Sequence, residues 1–277
     1  MSLYVFVALL GAAALHAGWN ALIRRDPDRD AAALAIAAGG AVLGVALIPF
    51  LAGIAPAAIP FAIASSFIHV VYYAMVARAF RLGELSVAYP IMRGLAPLIV
   101  TIIGILFIES VGATVLTGIV VLTSGILLLG FDGRANGHGA ITTALLNALV
   151  IAGYTIVDGL GARLSEAPVT YVAWIEIGGG LGTVVYRLAI NGRARLAPMM
   201  TRIPSGLAGA AMGFAAYGIA LWAMTLAPIG AVAAVRESSV LFATAIGAAM
   251  LHERFGATRW IAAAVVVAGL ALVKLGG

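Results

Sequence analysis

The chain has 277 residues, of which 63% are hydrophobic and 10% charged, and it carries a net charge of +5. A water-soluble domain has about 45–50% apolar and about 25% charged residues, so the composition excludes a soluble enzyme or binding module as the body of the chain. No cysteine is present, which excludes a disulfide framework and thiol chemistry, and the basic residues sit in short loops, where they report topology and lipid headgroups, not nucleic acid.

Apolar runs of about 20 residues recur along the whole chain, each long enough to cross about 30 Å of hydrocarbon. They place spans at 3–23, 31–52, 58–78, 86–107, 112–130, 139–160, 168–188, 205–225, 229–250 and 257–275. The first run starts at Leu3 without a basic leader and continues to Ile23, which reads as a span and not as a cleaved signal. Charge or turn residues mark the breaks, as in Arg24–Asp30 and Phe131–His138, and the longest connection is Gly192–Pro204. The pairs Gly40-x-x-x-Gly44, Gly178-x-x-x-Gly182 and Gly209-x-x-x-Gly213 fit close helix approach, against a background rich enough in Ala and Gly to produce them by chance.

Taken in chain order, span 1 carries His16 and Asn20 at i, i+4, with Trp19 adjoining their face. Span 3 carries a similar cluster, His69, Tyr72 and Tyr73. Polar and aromatic groups converging from several helices suit a pocket for an amphipathic solute, and the alternative for each histidine is a buried interhelical hydrogen bond. Span 4 places Arg93 between Pro90 and Pro97, with Tyr89, Arg93 and Pro97 on one helical face. A charge inside hydrocarbon costs at least about 2.5–3.5 kcal/mol, so Arg93 marks either an anchor for an anionic solute group or a structural ion pair. Glu109 and Glu253 lie in turns, where each is expected to cap the helix that begins near Gly112 or Gly256. Span 6 carries Tyr154 and Asp158 on one face; Asp158 reads as a proton-coupling or ion-paired carboxylate or, being near the outer end, as a simply hydrated one. Span 7 carries Glu176 beside Gly179 and Gly180, a carboxylate that either caps a neighbour or reaches a cavity for proton coupling or ion pairing, and span 8 carries Tyr217 and Trp222, which are either cavity-lining or interfacial anchors. Span 9 holds Arg236, Glu237, Ser238 and Ser239; Glu237 reads as a proton-coupling carboxylate or as a counter-ion to Arg93 or Arg236.

An internal repeat organises these residues. Glu109-Ser-Val-Gly-Ala-Thr114 and Glu253-Arg-Phe-Gly-Ala-Thr258 share four of six residues at an offset of 144, and the same offset sets Tyr73 against Tyr217 and Arg93 against Glu237. Ala17-Gly-Trp-Asn20 resembles Ala152-Gly-Tyr-Thr155 at an offset of 135, a difference that the longer loop around Gly192–Pro204 absorbs. The fold expected is an all-α membrane protein of ten transmembrane helices in two five-helix repeats, residues 1–133 and 139–277. An odd number of spans per repeat inverts the second relative to the first.

Charge tests the inversion. Loops after spans 1, 3, 5, 7 and 9 hold Arg24, Arg25, Arg29, Arg78, Arg81, Arg134, Arg187, Arg193, Arg195, Arg202, Arg254 and Arg259, against Arg163 and Lys274 on the other side. The positive-inside rule puts the arginine-rich side in the cytoplasm, so both termini are expected outside, in the periplasm of a bacterial inner membrane. Inverted repeats are a common plan of secondary transporters, with the solute site near the midplane.

The chain resembles the EamA-type proteins of the drug/metabolite transporter superfamily over essentially its full length. The resemblance rests on His16-Ala-Gly-Trp-Asn20 with Arg24, on Ala88-Tyr-Pro-Ile-Met-Arg-Gly94 followed by Pro97, and on the two ExxGAT turns. It implies a basket-like ten-helix carrier, often an exporter of amino acids or related metabolites.

The reading is therefore a secondary transporter, an exporter working by alternating access with proton exchange as its candidate coupling, whose partners are a small solute and membrane lipid. A lipid-headgroup flippase would share the fold, and a channel would need a continuous polar stripe where the chain shows isolated clusters. No GxxxxGK[ST] loop points to direct ATP drive, and no HExxH, GxSxG or Asp/His constellation points to an integral-membrane enzyme. No cofactor or metal is expected, since the histidines at 16 and 69 lie on different helices without a neighbouring carboxylate. One chain suffices to enclose a site, so a homodimer is allowed but not required.

Overall fold

The computed structural model describes residues 1–82, 85–130, 138–251 and 256–277. Arg134, Glu253 and Arg254 lie outside the described residues, as do the side chains of Arg81 and Arg195. Of the described residues 89% are helical and none lies in a strand. In hydrocarbon each backbone N–H and C=O must be satisfied within its own segment, and apolar Ala- and Leu-rich runs do this as helices. In chain order these are α1 (Leu3–Arg25), α2 (Arg29–Leu47), α3 (Ile59–Leu82), α4 (Leu85–Phe107), α5 (Ala113–Gly130) and α6 (His138–Ser165). There follow α7 (Pro168–Asn191), the short α8 (Leu196–Met200), α9 (Ile203–Met224), α10 (Ile229–Arg236), α11 (Ser239–Leu251) and α12 (Ala257–Gly276).

Eight of the described stretches are long and apolar enough to cross a membrane: Leu3–Arg25, Arg29–Phe50, Pro56–Val76, Tyr89–Phe107, Ile141–Ser165, Ile203–Met224, Ile229–Ile246 and Ala257–Gly276. The protein is thus a multi-pass membrane protein. Its large apolar side chains point outward in numbers a soluble protein does not tolerate, among them Trp260 at 68% exposure and Val185 at 65%. Two of the ten expected spans fall outside the eight. Ala113–Leu129 is shorter, and α7 contains Glu176 and the polar-to-neutral run Gly178–Gly180, which dilute its hydropathy. The span expected over 229–250 is two helices, α10 and α11, divided at Glu237-Ser238. The connection at Gly192–Pro204, expected as a plain loop, contains α8.

The chain divides into two compact units, and their borders at Ala13, Val70 and Ile156 fall inside α1, α3 and α6. The first comprises Met1–Ala13, Val71–Ile156 and Leu226–Gly277; the second comprises Ala14–Val70 and Val157–Thr225. Each draws on both halves of the sequence.

In the first unit α5 lies along α12, and α4 packs on α5 and α10. The α5–α12 contact runs through glycines spaced by seven on both helices. Gly118 and Gly125 of α5 face Val273 and Val266 of α12, while Gly269 and Gly276 of α12 face Leu122 and Thr114 of α5. Backbones this close gain dispersion contacts without a hydrophobic drive, which lipid does not supply. In the second unit α2 is packed against both α7 and α9. Gly44 brings α2 onto α7, where an added Cβ would stand 2.7 Å from the Ala173 carbonyl oxygen, and Gly206 brings α9 onto α2, 2.8 Å from that of Ala35. Gly40 and Gly178 also serve close contacts, against Glu176 and Ser66, whereas Gly213 meets only the edge of Trp19.

Polar ties hold the loop end of the second unit. The Asp28 carboxylate accepts from the Ala31 N–H at 3.0 Å and caps α2. The Asp26 carboxylate accepts from Arg202 Nε at 2.8 Å and from the Asp28 N–H at 2.8 Å, and Arg187 pairs with Asp30 at 2.8 Å. The hydrogen bond from Arg202, more than any other influence, holds the Asp26 carboxyl below its ordinary range.

At Gly180 an added Cβ would collide with the Ala37 carbonyl, whereas Gly11 faces open space. Gly180→Val is expected to cost about 1–3 kcal/mol, read as a lower Tm of the detergent-purified protein, and Gly11→Val is expected to leave Tm unchanged. Asp26 supplies a second expectation. Its pKa is lowered on folding, so the stability it contributes is full above the unfolded value of about 3.9 and is lost as pH falls through the folded value. Melts between neutral pH and pH of about 3 should fall less steeply for Asp26→Asn than for the parent; parallel profiles would remove Asp26 from the acid response.

Candidate functional site

In the first unit the site is built on α4. Pro97 has no N–H, so the Arg93 carbonyl one turn earlier loses its helical donor. The neighbouring Gly94 carbonyl accepts from Thr123 Oγ1 of α5 at 3.1 Å, and the Pro97 carbonyl accepts from Thr101 Oγ1 at 2.7 Å. The Arg93 side chain meets Glu237 in a two-pronged pair: Nε donates to Oε2 at 2.9 Å and the terminal nitrogen Nη2 stands 2.7 Å from Oε1. The two side chains are only 5% and 6% exposed, so water does not screen the pair. The planar guanidinium fork matches a carboxylate, and each charge offsets the desolvation of the other.

Glu237 reaches Arg93 because α10 stops there. Around it the ordinary i→i−4 bonds give way to i→i−3 bonds: Glu237 N–H to the Ala234 carbonyl at 3.0 Å, Ser238 N–H to Val235 at 3.0 Å, and Val240 N–H to Glu237 at 3.1 Å. This tightened turn leaves Arg236, Glu237, Ser238 and Ser239 all buried. The phenols of Tyr72, Tyr89 and Tyr154 stand close enough to interact with the Arg93 charge. The rings of Tyr72 and Tyr154 meet edge-on at 5.5 Å, and Tyr73, at 38% exposure, leans on Tyr72 at 5.0 Å. Asn147 of α6, which the sequence reading passed over, is fully buried and donates through Nδ2 to the Met92 sulfur at 3.0 Å. Its only signal was an amide in the middle of an apolar run. Among the described residues Asn147 Oδ1 and Ser238 Oγ are buried without a hydrogen-bond partner.

The second unit holds the other candidates. Asp158 is fully buried, so its alternative reading as a hydrated helix-end carboxylate does not hold. The hydroxyl of Tyr217 from α9 donates to its Oδ2, and that of Tyr171 from α7 lies 3.5 Å from its Oδ1. These two phenols cover the carboxylate, which a helix-end position alone did not reveal. Tyr171 was missed because its position near the start of α7 reads as an interfacial anchor. The Tyr217 ring stands edge-on to His69 at 6.0 Å, and His69 Nδ1 lies 3.0 Å from the Ser65 carbonyl oxygen. Glu176 sits against Gly40 and is close enough to Asp158 for their charges to interact. Asn20 donates to the carbonyl of His16 at 2.8 Å, and Trp19 meets the His16 ring at 5.0 Å. Trp222 is half-buried, and its carbonyl accepts from Thr225 Oγ1 at 2.7 Å.

Glu109 also makes an unexpected contact. Its Oε1 accepts from the Ile229 N–H at 2.6 Å, at the start of α10, a helix start the sequence did not pair with it. The corresponding expectation for Glu253 lies outside the described residues.

An all-helical, multi-pass chain with hydrogen-bonded charges buried among apolar helices belongs to the class of integral-membrane proteins with a polar interior. Residues 138–275 match the sequence model of the EamA-like transporter family, which belongs to the drug/metabolite transporter superfamily. By that match the protein is an EamA-type member of the superfamily, whose members are transporters. No curated protein matches the chain. A solved structure described as "Crystal structure of protein" is similar at a TM-score of 0.74 and 16% identity, over 99% of this chain and 98% of that one. At that identity the likeness shows a shared fold.

Removing one member of the Arg93–Glu237 pair strands the other in a dry interior, which costs about 3–5 kcal/mol. Glu237→Ala is therefore expected to destabilise the protein more than the double substitution Arg93→Ala/Glu237→Ala. Unfolding of the four variants reads this directly, and losses that simply add would show the pair to be uncoupled.

Proposed function

We propose that the protein is a secondary transporter that exports a small carboxylate-bearing metabolite, of which an amino acid is the simplest case. In this reading ten helices form two inverted five-helix repeats, residues 1–133 and 139–277. They work by alternating access in a bacterial inner membrane, with both termini on the periplasmic side. The observation that carries it is the buried Arg93–Glu237 pair. Its members are 144 positions apart, the offset at which the two sequence repeats align.

The pair supplies a mechanism. Arg93 presents a guanidinium fork of the shape that suits a carboxylate, and Glu237 occupies it as an internal anion through a hydrogen bond from Nε and an ion-pair contact at Nη2. A zwitterionic solute enters between the two charges, its carboxylate on Arg93 and its ammonium on Glu237, so each buried charge keeps a partner while the solute is carried outward. Protonating Glu237 from the outer side releases the ammonium and with it the solute, and the proton leaves to the cytoplasm when Glu237 returns to Arg93, so proton and solute cross in opposite directions.

Buried polar atoms left without partners support a solute at this place. Ser238 Oγ and Asn147 Oδ1 each forfeit a hydrogen bond that a polar ligand group restores. Tyr72, Tyr89 and Tyr154 supply the apolar, edge-polar wall that suits an amphipathic solute. Ser239 and Arg236 complete the polar side in the first unit. His16, Trp19, Asn20, His69, Tyr217 and Trp222 are cavity residues of the second unit, and Asp158 and Glu176 are its titratable groups.

The test is a thermal-shift screen of purified protein against L-amino acids, their decarboxylated amines and sugars, followed by counterflow in proteoliposomes with each hit. Solutes with a carboxylate should raise Tm and their amines should not, and Arg93→Ala should abolish both the shift and counterflow while the protein stays folded. Glu237→Gln should transport without responding to a pH gradient. Equal shifts for acids and amines, or a Glu237→Gln variant that still follows the gradient, would overturn the reading.

A further inference from the structure

The short helix α10 is tied at both ends to one neighbour. At its C-terminal end Glu237 takes the fork of Arg93, which belongs to α4. At its N-terminal end the Ile229 N–H donates to Glu109, two residues beyond the end of α4. Between the ties all eight residues of α10 are buried. Gly230 lets the helix lie directly on Thr101 of α4, where any Cβ would collide.

The N-terminal tie has no substitute within α10. The N-cap residue is Pro228, whose side chain makes no capping hydrogen bond. A carboxylate from another element therefore does the work that Ser, Thr, Asp or Asn ordinarily does at this position, and its charge also suits the positive end of the helix dipole. Nor is α10 located from its other end by a continuous helix, because the i→i−3 turn at Glu237-Ser238 separates it from α11. From Ile229 to Glu237 a helix rises about 12 Å, so any slip at the start of α10 is delivered to the carboxylate that faces Arg93.

We infer that Glu109 is the positioning residue of the Arg93–Glu237 site: by holding the first N–H of α10 it sets where Glu237 stands against Arg93. In this role it touches no solute and acts through α10. As a statement about solute handling the inference rests on the transport reading above, but the positioning itself is measured without any solute.

The measurement is the coupling between Arg93 and Glu237. It is read from the Tm values of the parent, Arg93→Ala, Glu237→Ala and the double variant of the full chain in detergent. It is then repeated with Glu109→Gln, Glu109→Asp and Glu109→Ala as backgrounds. Glutamine keeps an oxygen acceptor of the same reach and should retain most of the coupling. Aspartate keeps the charge but falls short by one methylene, and alanine removes the acceptor, so both should lose most of it. Amide exchange at Ile229 and the residues after it should speed up in the same two backgrounds, a readout that stands even if one quadruple of variants does not fold. Full coupling in the Asp and Ala backgrounds with only a lower overall Tm would overturn the inference and leave Glu109 a generic stabiliser. Lost coupling together with an unaltered Tm response to L-amino acids would uphold the positioning role and overturn the solute reading instead.

Discussion

A positive charge in the middle of an apolar helix constrains everything around it. Arg93 cannot be left to hydrocarbon, and its nearest sufficient partner is a carboxylate more than half the chain away in sequence. Satisfying it requires α10 to lie on α4 in one register and to end within reach of the guanidinium. The turn at Glu237-Ser238, the absence of a Cβ at Gly230 and the Glu109 tie at Ile229 all serve that one placement. The prolines of α4 contribute from the other side, since Pro97 frees a backbone carbonyl beside the same charge.

Elsewhere the helices are held by a different economy. Lipid solvates leucine as well as protein does, so burial alone does not press one helix on another. The α5–α12 contact and the contacts of α2 with α7 and α9 are made where glycines remove side chains and let backbones touch. Polar ties then act at selected points: Asp26 with Arg202 and Asp30 with Arg187 at the loop end of the second unit, and Asp158 under two tyrosine hydroxyls within it. Such ties count for more away from water, and the buried carboxylates Asp158 and Glu237 and the half-buried Glu176 are all among the candidate residues.

How far the site was legible depended on the kind of signal each residue carries. Arg93 and Glu237 announced themselves because charge in an apolar run is costly, and the repeat offset paired them before any coordinate did. Tyr171 and Asn147 did not, because an aromatic near a helix end and a single amide in a helix have ordinary explanations. The hydrated alternative for Asp158 failed for a related reason. Its depth along the helix read as exposure, but exposure is decided by what α7 and α9 place over it. Glu109 was assigned to the nearest helix start in sequence, and the contact to a start 120 residues away left no trace there.

What the sequence determined by itself is what depends on composition and period. Apolar runs of spanning length made a helical membrane protein, charged loops divided them, and family patterns in the second half placed the chain among EamA-type transporters. Tertiary structure alone decided which glycines meet which backbones, that the stretch 229–250 breaks at Glu237-Ser238, and that the Pro228 start of α10 is capped from beyond α4. The reason is physical: insertion into a bilayer is a property of each segment taken singly, whereas capping, burial and charge pairing exist only between segments. Each helix follows from its own segment, and the pair at Arg93 and Glu237 shows what joins α4 to α10.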